Sequence, residues 1–386
     1  MPFDFDEVID RRCSDSLKWG HYGAEVLPMW VADMDFRSPE PVIMALRERV
    51  AHGCFGYGAE IQGLRETILA RLEHRYGWRV APDAVMFMPG VVTAANLACH
   101  AFSGPKDPVL LQTPLYGGLL AAPETCGRRR IEASLALRND GRYELDLSAL
   151  EAAVVPGTRL FMLCNPHNPV GRVFTRVELE TAAEFCLRHD LVICSDEIHC
   201  ELLFTGSRHI PIATLSPDVA RRAITLMAPS KTFNIPGLQL SFAVVEDTEL
   251  RRRFLAARQG LVCSVGVFGA VAALAAYSGG EPWLRAVLGY LEANRDYLAD
   301  RVTAGLPGVR MARPEATYLA WLDFRGLRLD AEPADFLLAR AKVALGRGID
   351  FGGPGRGFAR LNFACPRSVL RVALERIAEA LAAPQC

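Results

Sequence analysis

The sequence predicts an α/β protein whose larger part is built on a mostly parallel central sheet. Two observations carry this: short apolar runs alternate with helical patterns along most of the chain, and the runs are apolar throughout, not at every second residue. Alternating strands and helices are what a parallel sheet with crossover helices requires, and strands covered on both faces have no polar side to show. Length adds a third. At 386 residues the chain exceeds what one small core holds, so a large domain with a smaller one is expected.

The first 36 residues mix charge, Gly and Pro and read as an ordered N-terminal arm. Ser38 and Glu40 open a helix over 38–50, as a cap followed by an early acidic residue should. A second helical pattern covers 63–76. Strands are expected at 84–88, 109–112, 159–163, 191–194, 223–227 and 240–245. Long helical patterns at 250–277 and 282–306 then lead out of the large domain. The remainder, with strands at 316–323 and 358–364 and helices at 333–344 and 368–382, reads as a compact α+β unit. The division expected is an N-terminal arm and part of the small domain over 1–45, a large domain over 46–285 and a small C-terminal domain over 286–386. No internal repeat or low-complexity tract interrupts it.

A formal net charge of −1 argues against partners recruited by bulk electrostatics, so neither nucleic acid nor an anionic membrane is expected. The longest apolar stretches, such as 265–277, are too short to span a bilayer. The 11 cysteines form no Cys-x-x-Cys pair and are odd in number, the pattern of reduced thiols, and the acidic N-terminus lacks the basic start and apolar core of a signal peptide. A cytoplasmic protein is the expectation.

The lysines are only Lys18, Lys106, Lys231 and Lys342, so a lysine within a motif is less easily dismissed as surface charge. Lys231 stands in Ala228-Pro229-Ser230-Lys231-Thr232-Phe233-Asn234, just past an apolar run. Upstream, Asp196 ends another such run in Ser195-Asp196-Glu197-Ile198-His199. A lysine becomes a carbonyl nucleophile when burial or a neighbouring cation lowers its pKa, and pyridoxal phosphate is the cofactor most often held this way. A strand-end carboxylate is what the protonated ring nitrogen of that cofactor needs as counter-ion. Alone, Asp196 reads first as a strand-end residue capping the next helix; together with Lys231 it reads as a cofactor partner.

Other segments fit the same site. Asn165-Pro166-His167-Asn168-Pro169-Val170-Gly171 brackets the top of a sheet with a doubled Asn-Pro turn, and Asn168 can donate to the phenolic oxygen of the cofactor. Pro89-Gly90-Val91-Val92-Thr93 joins a strand to a helix whose first N–H groups can hold a phosphate, although a plain turn would look similar. Tyr116 follows a strand end, where an aromatic ring can cover a planar cofactor, and Arg360 lies in a strand where it can take a substrate carboxylate bidentately. A core aromatic and a surface ion pair are their ordinary alternatives. Trp30, Phe36, Tyr57 and Tyr116 suggest an aromatic-lined pocket. Cys186, His189, His199 and Cys200 complete no tetrahedral set, so no metal is expected.

Taken together, and running end to end, these segments make the chain resemble a fold-type I pyridoxal-phosphate enzyme of the class I/II aminotransferase superfamily. Through Lys18-Trp19, Leu27-Pro28-Met29-Trp30-Val31-Ala32-Asp33-Met34-Asp35-Phe36 and the Asp196 and Lys231 motifs, it is similar above all to the MalY/PatB branch of cystathionine β-lyases. The resemblance implies Lys231 as cofactor-carrying lysine and proton shuttle, Asp196 as ring-nitrogen partner, and Asn168 with His199 as partners of the phenolic oxygen. It implies Tyr116 stacking on the ring, the Val91 and Val92 amides and Ser230 on the phosphate, and Tyr57 reaching the phosphate of the neighbouring subunit in a homodimer with a shared active site. Arg360 would take the α-carboxylate of a small amino-acid substrate, beside the Val31 and Ala32 segment. Gln239 and Ala228 stand where the wider superfamily commonly has an arginine and a Ser or Thr, which leaves phosphate binding more dependent on neutral donors; Gly237-Leu238-Gln239 matches the MalY/PatB branch.

The activity this implies is β-elimination of L-cystathionine or another L-cysteine S-conjugate to a thiol, pyruvate and ammonia. Transamination or decarboxylative deamination of a related substrate uses the same residues, and a regulatory binding protein with a secondary cofactor site is the reading from another class.

Overall fold

The structure, a computed structural model, describes residues 3–383. Its strands are, in chain order, β1 (Leu27–Pro28), β2 (Val85–Met88), β3 (Pro108–Thr113), β4 (Arg129–Ser134), the hairpin β5 (Ala136–Leu137) and β6 (Tyr143–Glu144), β7 (Leu160–Cys164), β8 (Val192–Asp196), β9 (Ala223–Met227), β10 (Ser241–Val244), β11 (Arg310–Met311), β12 (Leu319–Asp323), β13 (Val343–Ala344), β14 (Gly346–Arg347) and β15 (Phe358–Asn362). A seven-stranded sheet has the order β2-β10-β9-β8-β7-β3-β4, with β10 antiparallel to both neighbours and the remaining pairs parallel. β3, β7, β9 and β10 are buried at every position, and their sequences are apolar apart from Gln112, Thr113, Thr225 and Ser241. A second, four-stranded sheet has the order β11-β12-β15-β14 and is antiparallel.

The helices are α1 (Leu17–Gly20), α2 (Glu40–His52), α3 (Leu64–Tyr76), α4 (Val91–Phe102), α5 (Gly117–Thr125), α6 (Leu147–Ala153), α7 (Arg176–Arg188), α8 (Pro217–Ala220), α9 (Pro229–Thr232), α10 (Thr248–Arg258), α11 (Val267–Gly279), α12 (Glu281–Gly305), α13 (Pro333–Ala341) and α14 (Arg367–Ala382). α7 starts with a capping box between Thr175 and Glu178, so its first N–H groups are satisfied locally. α12 buries Trp283, Leu284, Val287, Leu291 and Leu298 along one face, and its Asn294 Nδ2 donates to the carbonyls of Phe363 at 3.0 Å and Cys365 at 2.8 Å. Among the described residues no helix is long and apolar enough to cross a membrane.

Several elements differ from the sequence expectation: short strands such as β1, β5, β6, β11 and β14 are additional, and the helix expected over 333–344 stops at Ala341, with Val343–Ala344 forming β13. The helical pattern at 250–277 is broken into α10 and α11: the chain leaves the helix at Gln259, which is extended, and turns at Gly260, whose φ of 78° is left-handed. β4 was not expected: it is an edge strand that leaves Arg129, Glu132 and Ser134 exposed, so no continuous apolar run marks it.

The segment from Met29 to Phe36 has no regular secondary structure, and its backbone must find partners elsewhere. β1 pairs in parallel with β13, Leu27 opposite Val343. Asn234 accepts from Met34 N at 2.9 Å and donates from Nδ2 to Met34 O at 2.9 Å and Phe36 O at 2.8 Å. Asn362 Nδ2 donates to Val31 O and Asp33 O, both at 2.6 Å. An ionic cluster completes the anchorage: Asp35 accepts from Lys18 Nζ at 2.7 Å, Arg11 Nη1 at 2.6 Å and Trp19 Nε1 at 2.8 Å, with the Lys18 side chain 1% exposed. Replacing Asp35 by Ala strands a buried ammonium and should cost about 3 kcal/mol, the low end of the range for broken buried pairs because Asp33 stands 3.6 Å from Lys18. Denaturant unfolding of Asp35→Ala against the parent checks this.

Candidate active site

A cleft of about 940 Å³ opens at the C-terminal ends of the parallel strands, where open α/β sheets bind ligands. Cys164 closes β7, Asp196 closes β8, Ala228 follows β9 and Tyr116 lies just beyond β3; all four line it.

Lys231 enters from α9, and its Nζ donates to the carbonyl of Ala32 at 2.7 Å. Tyr318 Oη donates to the same carbonyl at 2.9 Å. Burial lowers the Lys231 ammonium to about 8, against the pull of Asp33 and Asp196 and with the push of Arg360. Burial raises the Asp196 carboxyl to about 7, although Ile198 N donates to its Oδ1 at 3.0 Å and Lys231 opposes the shift.

Behind Asp196 lies a buried polar network. Glu197 accepts from Ser195 Oγ at 2.8 Å, Ile212 N at 3.0 Å and His209 Nε2 at 2.7 Å, and the His209 and Glu197 side chains are wholly buried. These bonds fix the turn that follows the strand end.

Arg360, on β15, donates from Nη1 to Asn168 Oδ1 at 2.9 Å and from Nη2 to Trp30 O at 2.8 Å, with its guanidinium 4.8 Å from the centre of the Phe351 ring. Burial lowers it to about 10, and its Nε is without a partner. Because Asn168 spends its oxygen on Arg360, the amide nitrogen is the group it presents to a ligand. His199 is buried, and desolvation, then Lys231 and Arg360, hold it at about 3; it is neutral, and its Nδ1 has no protein partner.

At the other end, Gly90 (φ 155°, ψ 152°) leads into α4 without any side-chain cap, so the N–H groups of its first turn are unpaired within the helix. Gly90, Val91, Val92, Ser230 and Gln239 all line this part of the cleft.

The cleft thus gathers Lys231, Asp196, Asn168, His199, Tyr116, Val91, Val92, Ser230, Arg360 and Ala32. It does not include Tyr57, which is fully exposed on this chain, nor Phe36, which is 5% exposed and packs its ring 5.1 Å from Phe5 and 5.5 Å from Tyr290. The aromatic lining expected from sequence is therefore corrected at Phe36, which belongs to the core. Sequence reasoning missed Tyr318, Asn234 and Asn362. A tyrosine leading into an apolar strand needs a partner for its hydroxyl once buried, and that was the available signal for Tyr318, which directly precedes β12.

The sheet order, with a lysine and a carboxylate meeting in one cleft at the strand ends, defines an α/β chain of the aminotransferase class. The family model for "Aminotransferase class I and II" matches residues 25–377, and the chain belongs to that family. Within it, the chain is 42% identical over 387 residues to "Cystathionine beta-lyase PatB" of Bacillus subtilis (strain 168), covering 98% of this chain and 100% of the other. Among solved structures it is similar to OvoB, with a TM-score of 0.95, 47% identity and coverage of 99% and 100%. It is likewise similar to the PLP-bound C-S lyase from Staphylococcus hominis, with a TM-score of 0.93, 33% identity and 99% of each chain covered.

The neutral amine is the reactive form, so reductive methylation of Lys231 in the protein without cofactor should rise as pH increases through about 8. Mass spectrometry of the peptide carrying Lys231, after brief formaldehyde and borohydride pulses across the pH range, checks the midpoint.

Proposed function

We propose that the chain is a pyridoxal 5'-phosphate-dependent carbon–sulfur lyase that converts an L-cysteine S-conjugate to a thiol, pyruvate and ammonia. The observation that carries this is Lys231, its amine lowered to about 8, sharing one cleft with Asp196 and Arg360. The names borne by the similar proteins, a cystathionine β-lyase and a C–S lyase, support the choice of reaction.

The residues fit the cofactor. His199 Nδ1 is an orphaned buried nitrogen, α4 begins with uncapped N–H groups that suit a phosphate, and Asp196 is a carboxyl whose charge is disfavoured until a cation lies beside it. When bound, the cofactor supplies an aldehyde for Lys231 and a protonated ring that draws negative charge from the α-carbon of the substrate. Asp196 would hold the ring-nitrogen proton, Asn168 and His199 would present nitrogens to the phenolic oxygen, and Tyr116 would cover the ring. Val91, Val92 and Ser230 would receive the phosphate.

Arg360 receives the substrate α-carboxylate, pre-oriented by Asn168 and the Trp30 carbonyl. Lys231 moves the proton: burial brings its amine down toward neutral pH, so it can accept the α-proton and later give one to the departing sulfur. Release of the thiolate breaks the carbon–sulfur bond, and water completes conversion of the remaining fragment to pyruvate and ammonia. The working form is a cytoplasmic homodimer in which Tyr57 of one copy serves the phosphate of the other, a reading supported by exposed Tyr57 and by the free thiols of the described cysteines.

Lys231→Ala should lower thiol release by about 10²- to 10⁴-fold with cofactor present, and full turnover in that variant would sink the assignment. Mass spectrometry of products should find pyruvate matched by thiol; an intact thioether keto acid would mean transamination instead. Arg360→Lys loses the bidentate fork and should raise KM by about tenfold or more with a smaller change in kcat.

A further inference from the structure

We propose that Tyr318 is a positioning residue for Lys231: its hydroxyl shares the Ala32 carbonyl with the lysine amine, so that the amine is placed without being held fast. The inference deepens the reading of Lys231 as the lysine that moves the proton, and rests on it. A carbonyl oxygen has two lone pairs, and here both are taken, by Lys231 Nζ at 2.7 Å and by Tyr318 Oη at 2.9 Å. Whenever Lys231 is engaged elsewhere, Tyr318 still satisfies the oxygen, so the amine can leave and return without stranding a buried acceptor.

The surroundings hold this arrangement in place. β12 pairs with β15 so that Leu319 lies opposite Asn362, and Phe363 N donates to Tyr318 O at 2.9 Å. Tyr318 and Asn362 are thus neighbours across the two strands, and between them they take three consecutive carbonyls: Asn362 those of Val31 and Asp33, Tyr318 that of Ala32. With both flanking groups tied, the Ala32 carbonyl stays where it is when one of its own donors goes. Thr317, wholly buried, has φ 71°, a left-handed backbone that a β-branched residue rarely takes. Its N–H donates to Leu202 O at 2.8 Å and its Oγ1 accepts from Leu319 N at 3.1 Å, which keeps the strained turn closed just before Tyr318. Backbone strain persists where the surrounding structure imposes it, and here it lies one residue from a phenol that is 1% exposed and reaches the lysine's acceptor. Thr317, Tyr318 and Asn362 are all buried within the chain, so the arrangement needs no second copy.

A shared carbonyl is a weaker acceptor for an ammonium than an unshared one, and a hydrogen bond to the charged form favours that form. Around the amine, Asp33 and Asp196 favour the charge, Arg360 opposes it, His199 is neutral, and burial keeps Tyr116 and Tyr318 as phenols. Removing the Tyr318 hydroxyl therefore tightens the hold on the ammonium, and the amine keeps its proton to higher pH.

The test is Tyr318→Phe, which fills nearly the same volume and leaves Ala32 its bond to Lys231, so that no buried acceptor is stranded. In the protein without cofactor, brief formaldehyde and borohydride pulses followed by mass spectrometry of the Lys231 peptide should place the midpoint of methylation about half a pH unit or more above the parent's, itself expected at about 8. In the cofactor-loaded protein, pyruvate formation from L-cystathionine should show the acidic limb of kcat moved up in the same direction, with KM within about twofold because Arg360 keeps Asn168 and the Trp30 carbonyl. A methylation midpoint that is unmoved or lowered would overturn the proposal, as would a raised KM with kcat unchanged at every pH. Absence of pyruvate from parent and variant alike would count against the lyase reading, and the methylation midpoint would still decide the role of Tyr318, since it is read without turnover.

Discussion

The geometry of the cleft depends on how one irregular stretch of backbone is satisfied. Residues 29–36 cross the protein without joining a ladder of their own, and each buried carbonyl or N–H left unpaired there would cost about 1–3 kcal/mol. Asn234 and Asn362 take most of these groups, and what they leave over is put to use: the Ala32 carbonyl goes to Lys231 and Tyr318, and the Trp30 carbonyl to Arg360. The two cations of the cleft are held by leftover acceptors of a single segment. Asn234 follows Lys231 by one helical turn and Asn362 lies next but one to Arg360, so each clamp is carried by the same motif as the residue it serves.

The charged groups share one electrostatic history. Burial pushes Asp196 up and Lys231, His199 and Arg360 down, every shift being toward the neutral form. A site with this character is undercharged for its contents. It suits a ligand that brings both signs, an anion for the helix N-terminus and a cation for Asp196, and it discourages charges with no designated place.

Much of this was legible in the sequence. The buried strands β3, β7, β8 and β9 announce themselves as apolar runs, and the lysine, aspartate, arginine and doubled Asn-Pro motifs that follow or lie within strands meet in one cleft. What was illegible has physical reasons. β4 lies at an edge and keeps arginine and glutamate outward, so its pattern looks like a loop. The reversed direction of β10 leaves no mark on an apolar run, because burial on both faces is the same either way. Asn234, at φ 55°, reads as ordinary turn chemistry, since asparagine tolerates that backbone anywhere; that its amide grips a segment 200 residues earlier is a property of the fold. Phe36 was misplaced because an aromatic near a motif looks the same whether it faces a cleft or a core.

The pairing of β1 with β13, and the grip of Asn362 on Val31 and Asp33, have a consequence for how the protein is made. Part of this irregular segment is held by Asn234 and by its own ionic cluster, but Leu27, Val31 and Asp33 wait for β13 and β15, so the sheet around β7, β8 and β9 can form before the surroundings of Lys231 are complete. Until β15 joins, Val31 and Asp33 lack the Asn362 side chain that takes their carbonyls. Completing the catalytic environment therefore depends on closing one of the longest loops in the chain, which makes it a late step of folding on contact-order grounds.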